Sequence, residues 1–366
     1  MKILYIVSRL GSTGPTNQLY GIIHNLDREK FTPYILTLSN ESEESYKKKF
    51  EDDNVEIETL GLSRIASIFV GKRNLKKALK RIAPDLIHTS GLRPDIMMGQ
   101  IKINIPLCST LRNYVYENYI SRYGKIKGGL ICLCHENSIK KMQYPICCSK
   151  TLQKKYAAHL KMRFFAIQNG VDMQHYYVKS TNERLQIKQN LKLPIDKKII
   201  IVVGSLLKLK DPITIINAVE RLPKKENFQL VFIGKGELWE ELQKYQSDYI
   251  RFLGYKNNVF EYFQAADLFI SASKTEGLPN TVLEAGACGL PMILSDIPQH
   301  REIFEADIQG IKYFSVGDTN MLTELIQHFF NGGEKYSRTI ISDYVKERFD
   351  SRVMSQNYQK FYKVIY

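Results

Sequence analysis

Several features that would place this chain in a familiar class are missing from its 366 residues. No apolar run approaches the roughly 20 residues that a helix needs to cross a bilayer. The opening MKILYIVSRL holds too short an apolar run for a signal peptide, so we expect a cytoplasmic protein. No Asp-x-Asp occurs, which removes a common carboxylate clamp for Mg²⁺ or Mn²⁺ on a diphosphate. No Ser-His-Asp arrangement or carboxylate nucleophile stands out either.

Cysteine is scarce and irregularly spaced. The chain has Cys108, Cys132, Cys134, Cys147, Cys148 and Cys288, without the regularity of a disulfide framework. A zinc site with His135 would need two-residue spacers, and neither the pair 132/134 nor the pair 147/148 provides one. The flanking runs LICLC and YPICCS are typical of buried strands. We therefore interpret the cysteines as free core thiols rather than metal ligands.

Positive charge is in excess and is unevenly distributed. The formal net charge is +14, and the segment 112–163 carries +9 of it, from eleven basic and two acidic residues. Such a segment attracts the phosphates of nucleic acids, lipid headgroups or pyrophosphate-linked substrates, with a solvated basic face as the alternative. No nucleic-acid-binding module accompanies it, so we expect no nucleic-acid partner. The interleaved Tyr114, Tyr116, Tyr119 and Tyr123 could meet headgroups, which predicts contact with an anionic membrane surface.

Short β-branched runs alternate with longer amphipathic stretches along the chain. Strands are predicted at 2–8, 33–39, 55–60, 85–89, 105–110 and 144–149, with helices such as 16–26 and 72–83 between them. The pattern begins again with strands at 199–205, 228–234, 250–254, 267–273 and 291–295. It predicts an α/β protein of two Rossmann-like domains, 1–168 and 169–345. The segment 346–366, with Phe349, Val353, Phe361 and Ile365 on one face, is predicted as a closing helix.

The strongest local motif is Glu276-Gly-Leu-Pro-Asn-Thr-Val-Leu-Glu284. It follows a predicted strand, and its second glutamate falls in a helix-forming run, so the unpaired N–H groups of the helix would point at a bound phosphate. Gly277 permits close approach of the backbone to that phosphate. Glu276 could accept hydrogen bonds from sugar hydroxyls, and Glu284 from a ribose diol. Alone, the motif could also be a capped surface helix with two unrelated glutamates.

Further motifs accompany these glutamates in a specific order. They are Asn169-Gly170-Val171-Asp172, Val203-Gly204-Ser205-Leu206 through Lys210-Asp211, Leu253-Gly254, Ala265-Ala266-Asp267, the two glutamates, Ser295-Asp296 and His300-Arg301-Glu302. The series resembles the family 4 retaining glycosyltransferases over nearly the whole chain. The resemblance implies the GT-B fold, in which two Rossmann-like domains face a central cleft and the C-terminal helix closes back on the N-terminal domain. It also implies a nucleotide-sugar donor, with a UDP-sugar favoured, and no cofactor.

The resemblance assigns donor-binding roles in the second domain. Lys210 would bind the diphosphate and stabilise the leaving group, while Glu276 would bind the sugar hydroxyls. These two residues and Arg112 are the predicted catalytic residues. Glu284 would bind the ribose, and the loop beneath the phosphates would consist of Gly277, Leu278, Pro279 and Asn280. Relatives usually carry an arginine directly after the glycine, where this chain has Gly204-Ser205. Either Lys208 replaces it or fewer cations hold the diphosphate.

The first domain would supply the acceptor side. The loop Gly11-Ser-Thr-Gly14-Pro-Thr-Asn17-Gln-Leu19 follows the first strand and opens a helix, as a phosphate-approach loop does. It is similar to the G-P-x-N-Q-L loop of capsule and lipopolysaccharide members, and we assign Gly14 to the donor and Asn17 to the acceptor. Many relatives have a histidine where Arg112 stands, and arginine cannot shuttle protons at neutral pH. Electrostatic contact with phosphates or an anionic acceptor is its expected role, and the other acceptor candidates are His88, Arg93, Asn113 and Tyr114. For His88 a satisfied buried histidine is the alternative.

These residues together predict a retaining, metal-independent glycosyltransferase of cell-surface polysaccharide synthesis. Its acceptor would be a saccharide or a lipid-pyrophosphate-linked saccharide, and the leaving phosphate would help to deprotonate the acceptor hydroxyl. A nucleotide-sugar epimerase or phosphorylase on the same fold is one alternative. A catalytically silent polysaccharide-assembly scaffold is another, which Ser205 and Arg112 keep open. The basic N-terminal domain predicts peripheral association with the inner face of the cell membrane.

Overall fold

A computed structural model describes residues 1–43, 45–333 and 335–366 of the chain. The described residues form two units, Met1–Gly170 together with Ser351–Tyr366, and Val171–Asp350. Each unit is built on one parallel β-sheet with helices in the connections between its strands. The predicted α/β class with two Rossmann-like units is therefore confirmed.

The sheet of the first unit is parallel, with the strand order β3-β2-β1-β4-β5-β6-β7. Its strands are β1 Lys2–Val7, β2 Thr32–Thr37, β3 Glu56–Thr59, β4 Leu86–Ser90, β5 Leu107–Leu111, β6 Tyr144–Cys147 and β7 Phe165–Ala166. Strand β1 lies between β2 and the central strand β4, with Ile3 aligned to Pro33 on one side and Leu86 on the other. Because helices cover both faces of the sheet, β1 is a continuous hydrophobic run after Lys2.

The helices described in this unit are α1 Gly14–His24, α2 Lys47–Asp52, α3 Arg64–Phe69, α4 Gly71–Ile82, α5 Leu92–Met98, α6 Val115–Tyr123, α7 Lys125–Ile139 and α8 Lys150–Leu160. Local sequence sets several of their ends. The hydroxyls of Ser63 and Ser149 accept hydrogen bonds from backbone amides, at 3.0 and 3.1 Å, and so cap α3 and α8. Helix α4 is capped by Ala83, which has a left-handed φ of 47° and is followed by Pro84.

One predicted strand is a helix instead. The run LICLC lies inside α7, whose buried face consists of Gly128, Cys132, His135, Ser138 and Ile139. A short apolar run fits a strand or a helix, and here side chains three to four residues apart share the buried face. Cys134 is therefore exposed, so the interpretation of every cysteine as a core thiol is wrong at this position.

The second unit has a parallel sheet with the order β10-β9-β8-β11-β12-β13. Its strands are β8 Lys198–Val203, β9 Phe228–Ile233, β10 Ile250–Phe252, β11 Leu268–Ser271, β12 Met292–Ser295 and β13 Ile311–Phe314. The edge strands β7 and β13 escape the sequence prediction, because β7 has two residues and half of β13 is only partly buried.

The helices described in the second unit are α9 Thr181–Asn190, α10 Pro212–Glu220, α11 Trp239–Leu242, α12 Val259–Ala265, α13 Asn280–Ala287, α14 Pro298–Ile303, α15 Thr319–Phe330 and α16 Arg338–Phe349. Short 3-10 turns cover Lys208–Lys210, Lys225–Asn227 and Gln243–Tyr245. Helix α9 begins with a capping box, in which Ser180 and Glu183 satisfy each other's backbone amides.

The last helix, α17 Ser351–Ile365, belongs to the first unit. Its buried face includes Met354, Tyr358, Tyr362 and Ile365, which join the core formed by β1 and α1. The Ser355 hydroxyl donates to the carbonyl of Ile22 in α1 at 2.7 Å. The helix begins later than the predicted 346, because α16 runs on to Phe349. Val353, predicted for the apolar face, is only partly buried.

Candidate active site

Three loops meet at the carboxyl ends of the adjacent strands β9, β8 and β11. The amide of Leu206 donates to the carbonyl of Lys235 at 3.2 Å, and the amide of Leu238 donates back to Leu206 at 3.0 Å. The amide of Lys274 donates to the carbonyl of Leu209 at 2.8 Å, which attaches the third loop. We call these segments, 204–211, 234–238 and 272–279, the loop cluster. This edge of an open parallel sheet is where such folds bind ligands.

Two glycines allow the first two of these loops to approach closely. Gly234 has a φ of 131°, and a Cβ at that position would lie 2.0 Å from the carbonyl oxygen of Gly204. A Cβ on Gly236 would lie 2.3 Å from the carbonyl oxygen of Leu206. Both positions therefore require glycine. The prediction named Gly204 and missed the other two, although a G-x-G directly after a strand was a usable signal.

Lys210 and Glu276 form an ion pair within the loop cluster. The hydroxyl of Ser273 donates to Glu276 Oε1 at 2.7 Å, and the side-chain amide of Gln299 donates to the Glu276 backbone carbonyl at 2.9 Å. The Glu276 side chain is 10% exposed and that of Lys210 is 32% exposed. The structure therefore brings together two predicted catalytic residues. Of the two side chains, that of Lys210 is the more exposed to solvent.

Opposing effects determine the charge of Glu276. Burial raises the pKa of its carboxyl, but the Lys210 ammonium and the Ser273 hydroxyl together lower it below the ordinary value. Glu276 is therefore ionised at neutral pH and acts only as a hydrogen-bond acceptor. A carboxylate held in this way can orient hydroxyl groups of a ligand.

His300 in α14 supports this region from the core. Its Nδ1 donates to the carbonyl of Ser295 at 2.7 Å. Burial is the main cause that lowers the His300 pKa to about 4, so the ring is neutral at pH 7. The Ser295 hydroxyl donates to the carbonyl of Ser273 at 2.6 Å. These bonds tie β12 to the loop that carries Glu276, a supporting role that the motif series did not reveal.

Glu284, the fifth residue of α13, is a carboxylate without a protein partner. Its side chain makes no hydrogen bond or ion pair with any residue in the described ranges. The residue is only partly exposed, and burial raises its pKa to about 7. A partly buried acceptor with no protein partner can exchange its contact with solvent for donors that a ligand supplies. Glu284 is therefore suited to bind hydroxyl groups.

The other donor-side candidates of the second unit lie in or next to the same loop cluster. Ser205 and Lys208 are exposed, and the Lys208 ammonium has no ion-pair partner among the residues that the structure describes. Gly277, Leu278 and Pro279 are buried and lead directly into Asn280, the first residue of α13. That Lys208 replaces the missing arginine stays a prediction.

Arg112 in the first unit follows β5 and is hydrogen-bonded to the end of β4 and to the segment after β7. Its Nε donates to the Ser90 hydroxyl at 3.3 Å, and its Nη1 donates to the Asn169 side-chain oxygen at 3.2 Å. The guanidinium is thus held at the carboxyl edge of the first sheet, where a cation can meet an anionic ligand. The next residues are the exposed Asn113 and the partly buried Tyr114. The catalytic assignment of Arg112 stays a prediction.

His88 is not available to an acceptor, and its candidate role is corrected here. The residue is 3% exposed, with Nδ1 2.7 Å from the Tyr362 hydroxyl and Nε2 2.8 Å from the Thr110 hydroxyl. Burial, with a smaller effect of the Arg112 charge, lowers the His88 pKa to about 3. His88 is therefore a neutral, satisfied core residue, as expected for the central strand β4.

Arg93 has a structural role instead of the predicted acceptor role. One Nη atom donates to the Ser39 hydroxyl at 2.5 Å. The other donates to the carbonyls of Leu62 and Ser63, at 2.8 and 3.2 Å, and to the hydroxyl of Ser67. These bonds join α5 to the segments that follow β2 and β3, so both Nη atoms are occupied within the unit.

The first helix presents the other predicted loop residues. Helix α1 begins at Gly14, and Asn17 is exposed in its first turn. The neighbouring Gln18, which the prediction did not single out, is buried. Its side-chain amide donates to the carbonyl of Gly170 at 2.7 Å and accepts from the Gly170 amide at 3.0 Å. Gln18 therefore fixes the residue at which the chain leaves the first unit.

Comparison with known proteins shows what this arrangement belongs to. Residues 12–175 match the model described as Glycosyltransferase Family 4, and residues 183–346 match Glycosyl transferases group 1. The chain is a family 4 glycosyltransferase. The resemblance predicted from the motif series, including the GT-B fold class, is thus confirmed.

Two of three similar proteins match the chain over its whole length. The enzyme is 24% identical to the O-antigen biosynthesis glycosyltransferase WclY of Escherichia coli, over 100% of this chain and 99% of that protein. It is 25% identical to the E. coli UDP-Gal:alpha-D-GlcNAc-diphosphoundecaprenol alpha-1,3-galactosyltransferase, over 65% and 64% of the two chains. Its fold matches Anabaena HepE in complex with UDP-glucose, with a TM-score of 0.83, 17% identity and 100% of both chains covered.

The described residues offer neither a metal cluster nor a membrane-spanning helix. Among residues 1–43, 45–333 and 335–366, no group of three or more His, Cys, Asp or Glu side chains is placed to hold a metal ion. Within the same ranges, no helix combines the length and the apolar character needed to pass through a bilayer.

Proposed function

We propose that this glycosyltransferase moves a sugar from a UDP-sugar to a saccharide or lipid-pyrophosphate-linked acceptor in cell-surface polysaccharide synthesis. The observation that carries the proposal is the loop cluster, where the Lys210–Glu276 pair adjoins the helix that carries the partnerless Glu284. The names of the E. coli relatives support O-antigen synthesis and a diphosphoundecaprenol acceptor. UDP is the favoured nucleotide, because it occurs in the name of one relative and in the HepE complex.

Each charged side chain of the loop cluster has a counterpart on such a donor. The ammonium of Lys210 would be shared between Glu276 and the diphosphate, offsetting the negative charge that develops on the leaving nucleotide. Glu276 would accept hydrogen bonds from the sugar hydroxyls, and Glu284 would accept them from the ribose diol. The two carboxylates would thereby hold the donor on both sides of its diphosphate.

We propose retention of the anomeric configuration without a metal ion or other cofactor. Lys210, Lys208 and the N-terminus of α13 would stabilise the leaving diphosphate, whose oxygen would take the proton of the attacking hydroxyl on the same face of the sugar. NMR of the product tests retention, and an inverted anomer would refute it. Initial rates in EDTA test metal independence, and a loss of activity that Mg²⁺ restores would refute that part.

The first unit would bind the acceptor. Arg112 would offer its charge to an anionic group, and Asn17, Asn113 and Tyr114 would contact the saccharide. A lipid-pyrophosphate-linked acceptor lies in a membrane, so we place the enzyme in the cytoplasm at the inner face, attached through its basic first unit.

A thermal-shift screen of UDP-, GDP- and ADP-sugars tests the donor proposal. A UDP-sugar at about 100 times its Kd should stabilise the enzyme by about 2.7 kcal/mol and raise its Tm. Lys210→Ala and Glu284→Gln should lose most of this rise, whereas Glu347→Gln, at an exposed position of α16, should keep it. No rise with any nucleotide sugar would favour a silent scaffold. Conversion of the donor without acceptor would favour an epimerase.

A further inference from the structure

A second basic segment lies outside the one considered so far. Between residues 64 and 82 the chain has no acidic residue, but it contains the basic residues Arg64, Lys72, Arg73, Lys76, Lys77, Lys80 and Arg81. This segment forms α3 and α4 of the first unit. The amphipathic pattern of α4 buries Leu75, Ala78, Leu79 and Ile82, so all its basic side chains are exposed.

Helix α3 and the residue after it expose large apolar side chains next to this charge. Ile65, Ile68 and Phe69 are 70%, 77% and 80% exposed, and Val70 is 43% exposed. A soluble monomer rarely exposes several large apolar side chains together unless something covers them. We call residues 64–81 the α3–α4 surface.

Most of the positive charge of this surface is uncommitted. Among the described residues, Arg81 pairs with Glu58, whereas Lys72, Arg73, Lys76, Lys77 and Lys80 have no ion-pair partner. In the segment 112–163, two acidic residues, Glu136 and Glu117, pair with Lys140 and Lys155. Lys125 and Lys127 of that segment have no ion-pair partner among the described residues, as on the α3–α4 surface. The Tyr119 hydroxyl is bonded to His135 as well. The tyrosines predicted to meet headgroups are thus partly engaged within the unit.

We propose that the α3–α4 surface docks the enzyme on an anionic lipid bilayer. The exposed lysines and arginines complement lipid headgroups, while Ile65, Ile68 and Phe69 enter the boundary of the acyl chains. One signal alone gives only marginal membrane binding, whereas apolar insertion together with a polybasic patch gives a more stable attachment. A nucleic acid would neutralise the charge but leave these apolar side chains in water, so a bilayer fits better. This inference rests on the membrane location proposed above.

Vesicle sedimentation with the full-length enzyme tests the proposal. The wild type should bind vesicles of phosphatidylcholine mixed with phosphatidylglycerol, and bind phosphatidylcholine alone much less. K76E/K77E and I68S/F69S should each weaken binding to the mixed vesicles by about tenfold or more. K346E/K360E, which changes the charge equally at exposed positions of α16 and α17, should bind like the wild type.

Four outcomes would overturn the proposal. The first is that K76E/K77E and I68S/F69S both bind vesicles as the wild type does, and the second is that the wild type binds neutral and mixed vesicles equally. The third is that the wild type binds RNA tightly and does not bind vesicles. The fourth is that L130S/L133S, on the exposed face of α7, loses vesicle binding and I68S/F69S does not. The Tm shift caused by UDP provides an independent measurement. This Tm shift should be the same in every surface variant as in the wild type, and an unchanged shift shows that the variants are folded. Its absence from the wild type would refute the donor proposal without affecting the vesicle result.

Discussion

Because Glu284 has no protein partner among the described residues, we expect its charge to lower the stability of the folded state while serving ligand binding. Its folded-state pKa of about 7 lies above the ordinary value of 4.5, because burial removes the carboxyl in part from water and no counter-charge of a described residue lies beside it. The folded state therefore holds this proton more tightly than the unfolded state. The carboxyl costs no stability below pH 4.5, and its cost grows as the pH rises towards 7 and is complete above that.

The size of the cost follows from the two pKa values. Their difference corresponds to about 3 kcal/mol at roughly 1.4 kcal/mol per pH unit. Glu284 is partly exposed, so screening by solvent makes this figure an upper limit. Glu284→Gln removes the charge and nearly keeps the shape. We expect the free energy of unfolding at pH 8 to rise by about 1–3 kcal/mol in this variant.

Thermal unfolding of the ligand-free enzyme at pH 5 and pH 8 measures this effect. Glu284→Gln should exceed the wild type in Tm by several degrees at pH 8, at about 2–4 °C per kcal/mol, and by much less at pH 5. Glu347→Gln, at an exposed position, should show no such difference. The reasoning fails if the Glu284 variant gains nothing at pH 8, or gains the same at both pH values. The same variant should lose its response to a UDP-sugar, since the carboxylate would be needed for the ribose.

Three further substitutions test separate parts of the structure. Lys210→Ala should lower the rate of sugar transfer by about 100-fold or more, because one donor to the leaving group is lost; a loss below tenfold in steady-state kinetics would contradict its catalytic role. Gln18→Leu should lower the free energy of unfolding by about 1–3 kcal/mol, since the buried Gly170 carbonyl loses its side-chain donor and the Gly170 amide keeps only the Met354 sulfur, at 3.1 Å; an unchanged denaturation midpoint would show that other groups satisfy them. Gly234→Ala should abolish the Tm rise caused by nucleotide sugars, because its Cβ would lie 2.0 Å from a backbone oxygen. Its control is Gly129→Ala, at an open position of α7, which should keep the rise.

The positions of the residues predicted to bind the donor followed from the sequence because their signals are local. The strands β8, β9 and β11 are short apolar runs bounded by glycine or polar residues, and the motif from Glu276 to Glu284 is contiguous. In a parallel sheet the carboxyl ends of adjacent strands share one edge, so the order of the motifs already brings Lys210 towards Glu276.

Errors arose where a local pattern has two solutions. The run around Cys132 suits a strand or a helix, and only its packing against the rest of the unit selected α7. His88 and Arg93 follow or lie in β4 just as ligand-binding residues do, yet their partners, among them Tyr362 and Ser39, come from distant parts of the chain. No pattern near these two residues reports such partners.

The sequence by itself determined the two parallel sheets, the family and the residues proposed to bind a nucleotide sugar, because periodicity and short motifs are local properties. Only the tertiary structure decided which of these side chains are free to act. It left Glu284 without a partner, paired Lys210 with Glu276 across 66 residues of chain, and enclosed His88 in hydrogen bonds. Partners and burial depend on contacts between residues far apart in sequence, and those contacts set the charge and the availability of each group.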